Sequence, residues 1–128
     1  MARAGEGSTF HAGKPGLRKL LGDMEAEVME AVWERGDATV TVREIHEAVA
    51  ARRAAAYTTV MTVMGNLAKK GLLAVEKAGK AYDYRATQTK AQFTESAVAR
   101  VVDELMKDFA APAIAHFARA LQERKTAV

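Results

Sequence analysis

Val60, Val63, Met64 and Leu67 recur at i, i+3, i+4 and i+7, one face of a helix, while Thr58, Thr62 and Lys69 point the opposite way. The stretch from Ala54 to Gly71, AAAYTTVMTVMGNLAKKG, therefore predicts a helix with one side for a core and one for contact. Its contact side holds no carboxylate, only hydroxyls, Gly65, the Asn66 amide and the adjacent cations Lys69 and Lys70. Such a face suits a polyanion.

Upstream, MEAEVMEAVWERG predicts a first helix, with Asp23 as cap, Glu25 and Glu27 at the positive end of the helix dipole, and Gly36 as the left-handed stop. Met24, Val28, Ala31 and Val32 form its expected buried stripe, widened by Met29 and Trp33. Its acidic neighbourhood makes Trp33 a core or interface residue rather than a base-stacking platform. A second helix starts at the capping box of Thr41 and Glu44, with Val40 and Ile45 at hydrophobic-staple positions. Ile45 and Val49, with Val42 and Ala48 beside them, face inward, and the helix is expected to run to about Arg53. Only Ala54 to Ala56 separate it from the contact helix, the spacing of a helix-turn-helix.

After Gly71 the period shortens. Leu72 to Lys77 and Tyr82 to Ala86 alternate with period two around the small residues Ala78 to Ala81, which predicts a β-hairpin with a basic tip. Three helices followed by such a hairpin describe a winged helix-turn-helix. Beyond Ala86, Thr89 and Gln92 form a further capping box, and Val98, Val101, Val102, Leu105, Met106 and Phe109 make a long apolar stripe. Pro112 is expected to break it, with Ile114, Phe117 and Leu121 on a short amphipathic helix beyond. Too little chain remains to cover this stripe. A second copy would bury it in a symmetric dimer; the tail folded back on its own winged helix is the structural alternative.

The expected fold is thus mainly α with a small β-hairpin: a disordered basic arm over 1–19, a winged helix-turn-helix DNA-binding domain over 20–87 and a helical dimerisation region over 88–128. Charge placement agrees, since residues 21–40 carry six acids and one base whereas 41–85 carry eight bases and four acids. The chain has no cysteine, which removes disulfides and zinc-thiolate sites, and His11, His46 and His116 show no ligand spacing, so no metal or cofactor is expected. No nucleophile and base constellation or phosphate-cradling glycine motif suggests an enzyme. With no apolar run of membrane-spanning length and no secretory signal pattern, a cytoplasmic protein without membrane insertion is expected.

The segments LGDMEAEVMEAVWERG, TVREIHEAVAARR and AYTTVMTVMGNLAKKGLL closely resemble the penicillinase repressor family, which includes the methicillin-resistance and copper-responsive repressors. The resemblance runs from about Leu21 to Ala86 and continues more loosely to the C-terminus. It implies a homodimeric repressor that binds inverted repeats with TACA and TGTA half-sites. On the matching positions, Thr58, Thr59, Met61 and Thr62 fall where the family touches DNA, with Tyr57 at the start of the same helix. Gly65 and Asn66 depart from it, since relatives often carry longer polar or basic side chains there. The cysteine motif of the copper-responsive branch is absent. The stretch AIAHFARA resembles the place where some relatives are cut by a membrane sensor protease, which implies a cleavage site between His116 and Phe117, although cut relatives have asparagine in place of His116.

Binding can also be derived without the family. Threonine methyls and hydroxyls meet thymine methyls and base edges, Asn66 can pair with adenine, and the helix centre offers no arginine for guanine, which favours an A/T-containing half-site on double-stranded DNA. Arg43, Arg52, Arg53, Lys69, Lys70 and the wing residues Lys77 and Lys80, together with Arg85, are candidate phosphate contacts. The competing function is a winged helix that grips another protein without specific DNA binding.

Overall fold

The computed structural model describes residues 10–126, in two compact units that divide between Thr94 and Glu95. The first unit opens with a 3₁₀ turn, Gly16–Lys19, followed by helix α1, Asp23–Trp33. Residues 1–9 of the expected disordered arm lie outside the described residues, and the remainder is folded rather than disordered. The His11 N–H donates to the Lys19 carbonyl at 2.7 Å, Lys14 pairs with Asp23 at 3.1 Å, and Arg18 pairs with Glu27. Lys14 and Arg18 thus find their partners in the acids of α1, while the Lys19 ammonium donates to the Lys14 carbonyl.

Asp23 is not the cap of α1. Gly22 occupies that position, and its N–H donates to Glu25 Oε1 at 3.1 Å, the half of a capping box that needs no side chain at the cap. The buried residues of α1 are Ala26, Val28, Met29, Ala31 and Val32; Met24, expected in the stripe, is only half-buried.

Helix α2, Val42–Ala50, starts as expected: the Thr41 N–H donates to Glu44 Oε1 at 2.9 Å and the Glu44 N–H to Thr41 Oγ1 at 3.1 Å. It ends before Arg53, because the N–H groups of Arg52 and Arg53 both turn back to the Val49 carbonyl, at 2.9 and 3.0 Å. Helix α3, Tyr57–Lys69, closes in a Schellman motif: Leu72 N–H donates to the Leu67 carbonyl and Gly71 N–H to that of Ala68, with Gly71 at φ 84°. Buried Leu67 and Leu72 supply the apolar pair that accompanies this motif.

Strands β1, Leu73–Ala78, and β2, Ala81–Ala86, pair antiparallel from Leu73 opposite Ala86 to Ala78 opposite Ala81. The connection is therefore the two residues Gly79 and Lys80 rather than four. Gly79 sits at φ 66° and Lys80 has no positive φ, the sign pattern of a type II′ turn. At the base of the hairpin Val40 adds a one-residue third strand, exchanging two 2.8 Å hydrogen bonds with Tyr84. Leu21, Val28, Ile45, Val49, Val60, Met64 and Leu67 are fully buried and form the centre that α1, α2 and α3 share.

Helix α4, Lys90–Thr126, begins inside this first unit, beyond the Thr87 boundary expected from sequence. Its capping box forms, with Thr89 N–H donating to Gln92 Oε1 at 2.9 Å. Buried Phe93 packs on Trp33 with ring centroids 5.7 Å apart, and the Trp33 indole N–H donates to the Gln88 carbonyl at 3.0 Å. In the second unit the break expected at Pro112 falls instead at Phe109, whose φ of −135° and ψ of 45° leave the helical region. Phe109 thereby starts a new helical segment in which Pro112 lies in the first turn, where no intrahelical N–H is required. Among the described residues, no helix is long and apolar enough to cross a membrane.

Candidate nucleic-acid interface

Helix α3 is held by its back. Val60, Met64 and Leu67 are completely buried, so the rotation of the helix about its own axis is set by the core. Tyr57, Thr58, Thr59, Met61, Thr62, Asn66 and Lys69 are consequently all exposed, and Met61 presents a large apolar side chain to solvent at 45% exposure. The helix contains no acidic residue, and its cap, Ala56, supplies no side-chain acceptor for the first-turn amides.

One residue of this region has no signal in the hydrophobic pattern. The His46 ring donates from Nε2 to the Ala55 carbonyl at 2.9 Å and meets the Tyr57 ring edge-on at 5.6 Å between centroids. It ties α2 to the connection that precedes α3. Sequence spacing alone made it an ordinary histidine, because its partners lie nine positions and more away.

The candidate phosphate contacts separate into two groups. Lys69, Lys77, Lys80 and Arg53 are exposed, with Lys80 in the hairpin turn and Lys77 on β1 beside it. The others are engaged within the protein. Lys70, also expected as a phosphate contact, lies 2.6 Å from Glu25 and ties the end of α3 to α1. Arg52 is 3.2 Å from Glu27 and 3.9 Å from Glu34, Arg43 is 3.4 Å from Glu47, and Arg85 is 3.5 Å from Glu76. Arg43 and Glu47 are both strongly exposed, so their pair is readily exchanged for another anion.

The ionisable groups that depart from their ordinary values lie in the scaffold. The Lys14 ammonium, hydrogen-bonded to Asp23, holds that carboxyl below the usual carboxylate value, and burial pushes the Tyr84 hydroxyl above the usual tyrosine value. Among the described residues, no group of three or more acidic, histidine or cysteine side chains is arranged to hold a metal ion.

A profile of the family described as Penicillinase repressor matches residues 21–127, a span that includes every element from α1 through α4. The chain belongs to the penicillinase repressor family. Transcriptional regulator BlaI of Mycobacterium tuberculosis, in two strains, is 50% identical over 64 residues, which cover 50% of this chain and 46% of that protein. A 16.5 kDa protein of Latilactobacillus sakei, encoded in the ptsI 3′ region, is 33% identical over 81 residues, 63% of this chain and 54% of its own length. The chain thus spans about half the length of the curated relatives it matches.

The residues expected to form the family's helical dimer region are open to solvent. Val98, Leu105, Phe109, Ile114, Phe117 and Leu121 are exposed, and Val101, Val102 and Met106 are half-buried. His116 and Phe117 are both exposed within the helical part of α4 after Phe109.

Proposed function

We propose that this chain is a sequence-specific DNA-binding transcriptional regulator, a homodimeric repressor that sets α3 into the major groove of an inverted-repeat operator and its wing on the phosphates. The observation that carries the reading is the face of α3: exposed threonines, Met61 and Asn66 with no acid among them, backed by a fully buried apolar side and flanked by the exposed cations Lys69, Lys77, Lys80 and Arg53. Membership of the penicillinase repressor family and the likeness to a mycobacterial transcriptional regulator support it. Tyr57, Thr58, Thr59, Met61, Thr62 and Asn66 read base edges, which favours A/T-containing half-sites in the absence of a central arginine. The exposed lysines fix register on the backbone.

The apolar stripe of α4 supports the dimer, since six large hydrophobic side chains of the second unit stand in solvent. Two recognition helices held in this way read two half-sites about one turn of duplex apart. Release by a membrane sensor protease belongs to the same reading. A cut between His116 and Phe117 severs Phe117 and Leu121 from the rest of the stripe, and bivalent binding is lost with them. The protein then works in the cytoplasm, where the DNA is.

The test is selection from a random-sequence duplex pool by the purified protein, followed by affinity titration at two salt concentrations. An enriched inverted repeat, with affinity that falls as salt rises, is the expected result. Salt-insensitive, weak binding with no enriched sequence would leave the protein-gripping winged helix in its place.

A further inference from the structure

Gly65 has no reason within the fold to be glycine. It lies inside α3 without a positive φ, so no left-handed backbone demands it. A Cβ built on it would meet nothing within 4 Å among the described residues, so no close packing demands it either. Glycine at such a place weakens a helix, because it gives up more backbone freedom on folding than alanine does and contributes no side chain. The chain carries this penalty with no intramolecular return.

Its position supplies a reason outside the chain. On the exposed side of α3, Gly65 lies three and four positions after Thr62 and Met61 and four before Lys69, with Thr58 one turn earlier, and the four of these that have side chains are all exposed. The bare position sits in the middle of this contact stripe. There the helix surface drops to the backbone itself, one side chain closer to the helix axis than on the turns before and after.

The geometry points to Gly65 as a specificity-determining residue through what it leaves out: it lets the edges of the bases come against the backbone of α3, so that Met61, Thr62 and Asn66 sit deeper in the major groove than a side chain at position 65 would allow. This rests on the DNA-binding reading of α3. The contact is steric, so it selects base pairs whose groove edge fills the gap and leaves the phosphate contacts of Lys69, Lys77 and Lys80 untouched.

Substitution Gly65→Ala gives the two readouts opposite signs. The variant is compared with wild type by thermal melting at equal protein concentration, and by titration against the duplex that wild type enriches from a random pool and against a scrambled duplex of the same composition. The melting temperature is expected to rise by about 4 °C, since alanine restores helix propensity in open space. Affinity for the enriched duplex is expected to fall about tenfold, with the scrambled affinity and the salt dependence unchanged. A more stable variant that binds the enriched duplex as tightly as wild type overturns the inference and leaves the DNA-binding reading standing. An equal loss on both duplexes also overturns it, because the gap would then serve a contact without sequence content. A lower melting temperature overturns it by giving the glycine a structural role. Failure of wild type to enrich any sequence removes the DNA-binding reading itself, and the inference with it.

Discussion

Lys70 Nζ lies 2.6 Å from Glu25 Oε2, joining the end of α3 to the first turn of α1 across 45 positions of sequence. Lys69, its neighbour, is exposed and has no such partner among the described residues. The two lysines are identical in chemistry and adjacent in the chain, yet only Lys70 has a carboxylate partner among the described residues. Lys70→Met is expected to lower unfolding stability by about 1 kcal/mol, since it leaves a largely buried carboxylate without its cation. Lys69→Met is expected to stay within about 0.5 kcal/mol of wild type and to reduce the salt dependence of DNA affinity by about one unit of slope. Urea unfolding and salt titration of both variants check the division; equal losses of stability would show that Lys69 is a strut as well.

Asp23 reports whether the segment before α1 stays docked. Its carboxyl is held below the ordinary value first of all by the hydrogen bond from Lys14, with the charges of Lys14, Arg18 and Arg53 acting in the same sense against desolvation. A depressed folded value means that the ionised form is favoured by folding. The contribution is therefore present above the unfolded carboxylate value and is lost as pH falls through the folded one. Lys14→Ala is expected to raise the Asp23 titration midpoint, as followed by carboxyl-carbon NMR. An unchanged midpoint would mean that the segment does not rest on α1 in solution.

Much of this architecture is written in local pattern. Thr41 with Glu44, Thr89 with Gln92, and the Val60, Met64 and Leu67 stripe all act within one or two turns, and each appears in the structure where periodicity and capping place it. Long-range partners leave no such mark. Nothing near Lys70 announces Glu25, nothing near Val40 announces its bridge to Tyr84, and nothing near Lys14 announces Asp23. The cap of α1 falls on Gly22 rather than Asp23 for a related reason: the Asp23 side chain is held by Lys14, while Gly22 needs only its backbone N–H. Pro112 was legible as a disturbance. The break moves to Phe109 because proline is tolerated in the first turn of a helix, so the chain leaves the helix three residues ahead of it. Which side chains of α3 are exposed followed from the opposing buried face; which cations are paired within the protein required knowing the acids around them.

Thr62 and Lys80 test the proposed division between base reading and phosphate holding. Thr62 stands exposed in the middle of α3, and Lys80 stands in the hairpin turn. Thr62→Ala is expected to weaken binding to the enriched duplex by about 1 kcal/mol while leaving affinity for scrambled duplex unchanged. Lys80→Ala is expected to weaken both alike and to lower the salt slope. If Thr62→Ala and Thr59→Ala together altered no specific binding, α3 would not be the reading helix.

Leu121 and Phe117 test what the stripe of α4 is for. Both are about half exposed, at 57% and 46%, and they lie four positions apart on one face of the helical segment that follows Phe109. Because neither is buried within the chain, charging them leaves the winged helix intact, and the double substitution Phe117→Asp with Leu121→Asp is expected to melt as a folded protein. In sedimentation equilibrium wild type is expected to be a dimer and the double variant a monomer, since the two carboxylates added to each chain would put four at the seam of the proposed symmetric interface. Operator affinity is expected to fall about a hundredfold through lost bivalency, whereas binding to a single half-site stays as in wild type. A double variant that remained dimeric would move the interface to another face of the chain, and cleavage between His116 and Phe117 would then have no means of releasing DNA by this route.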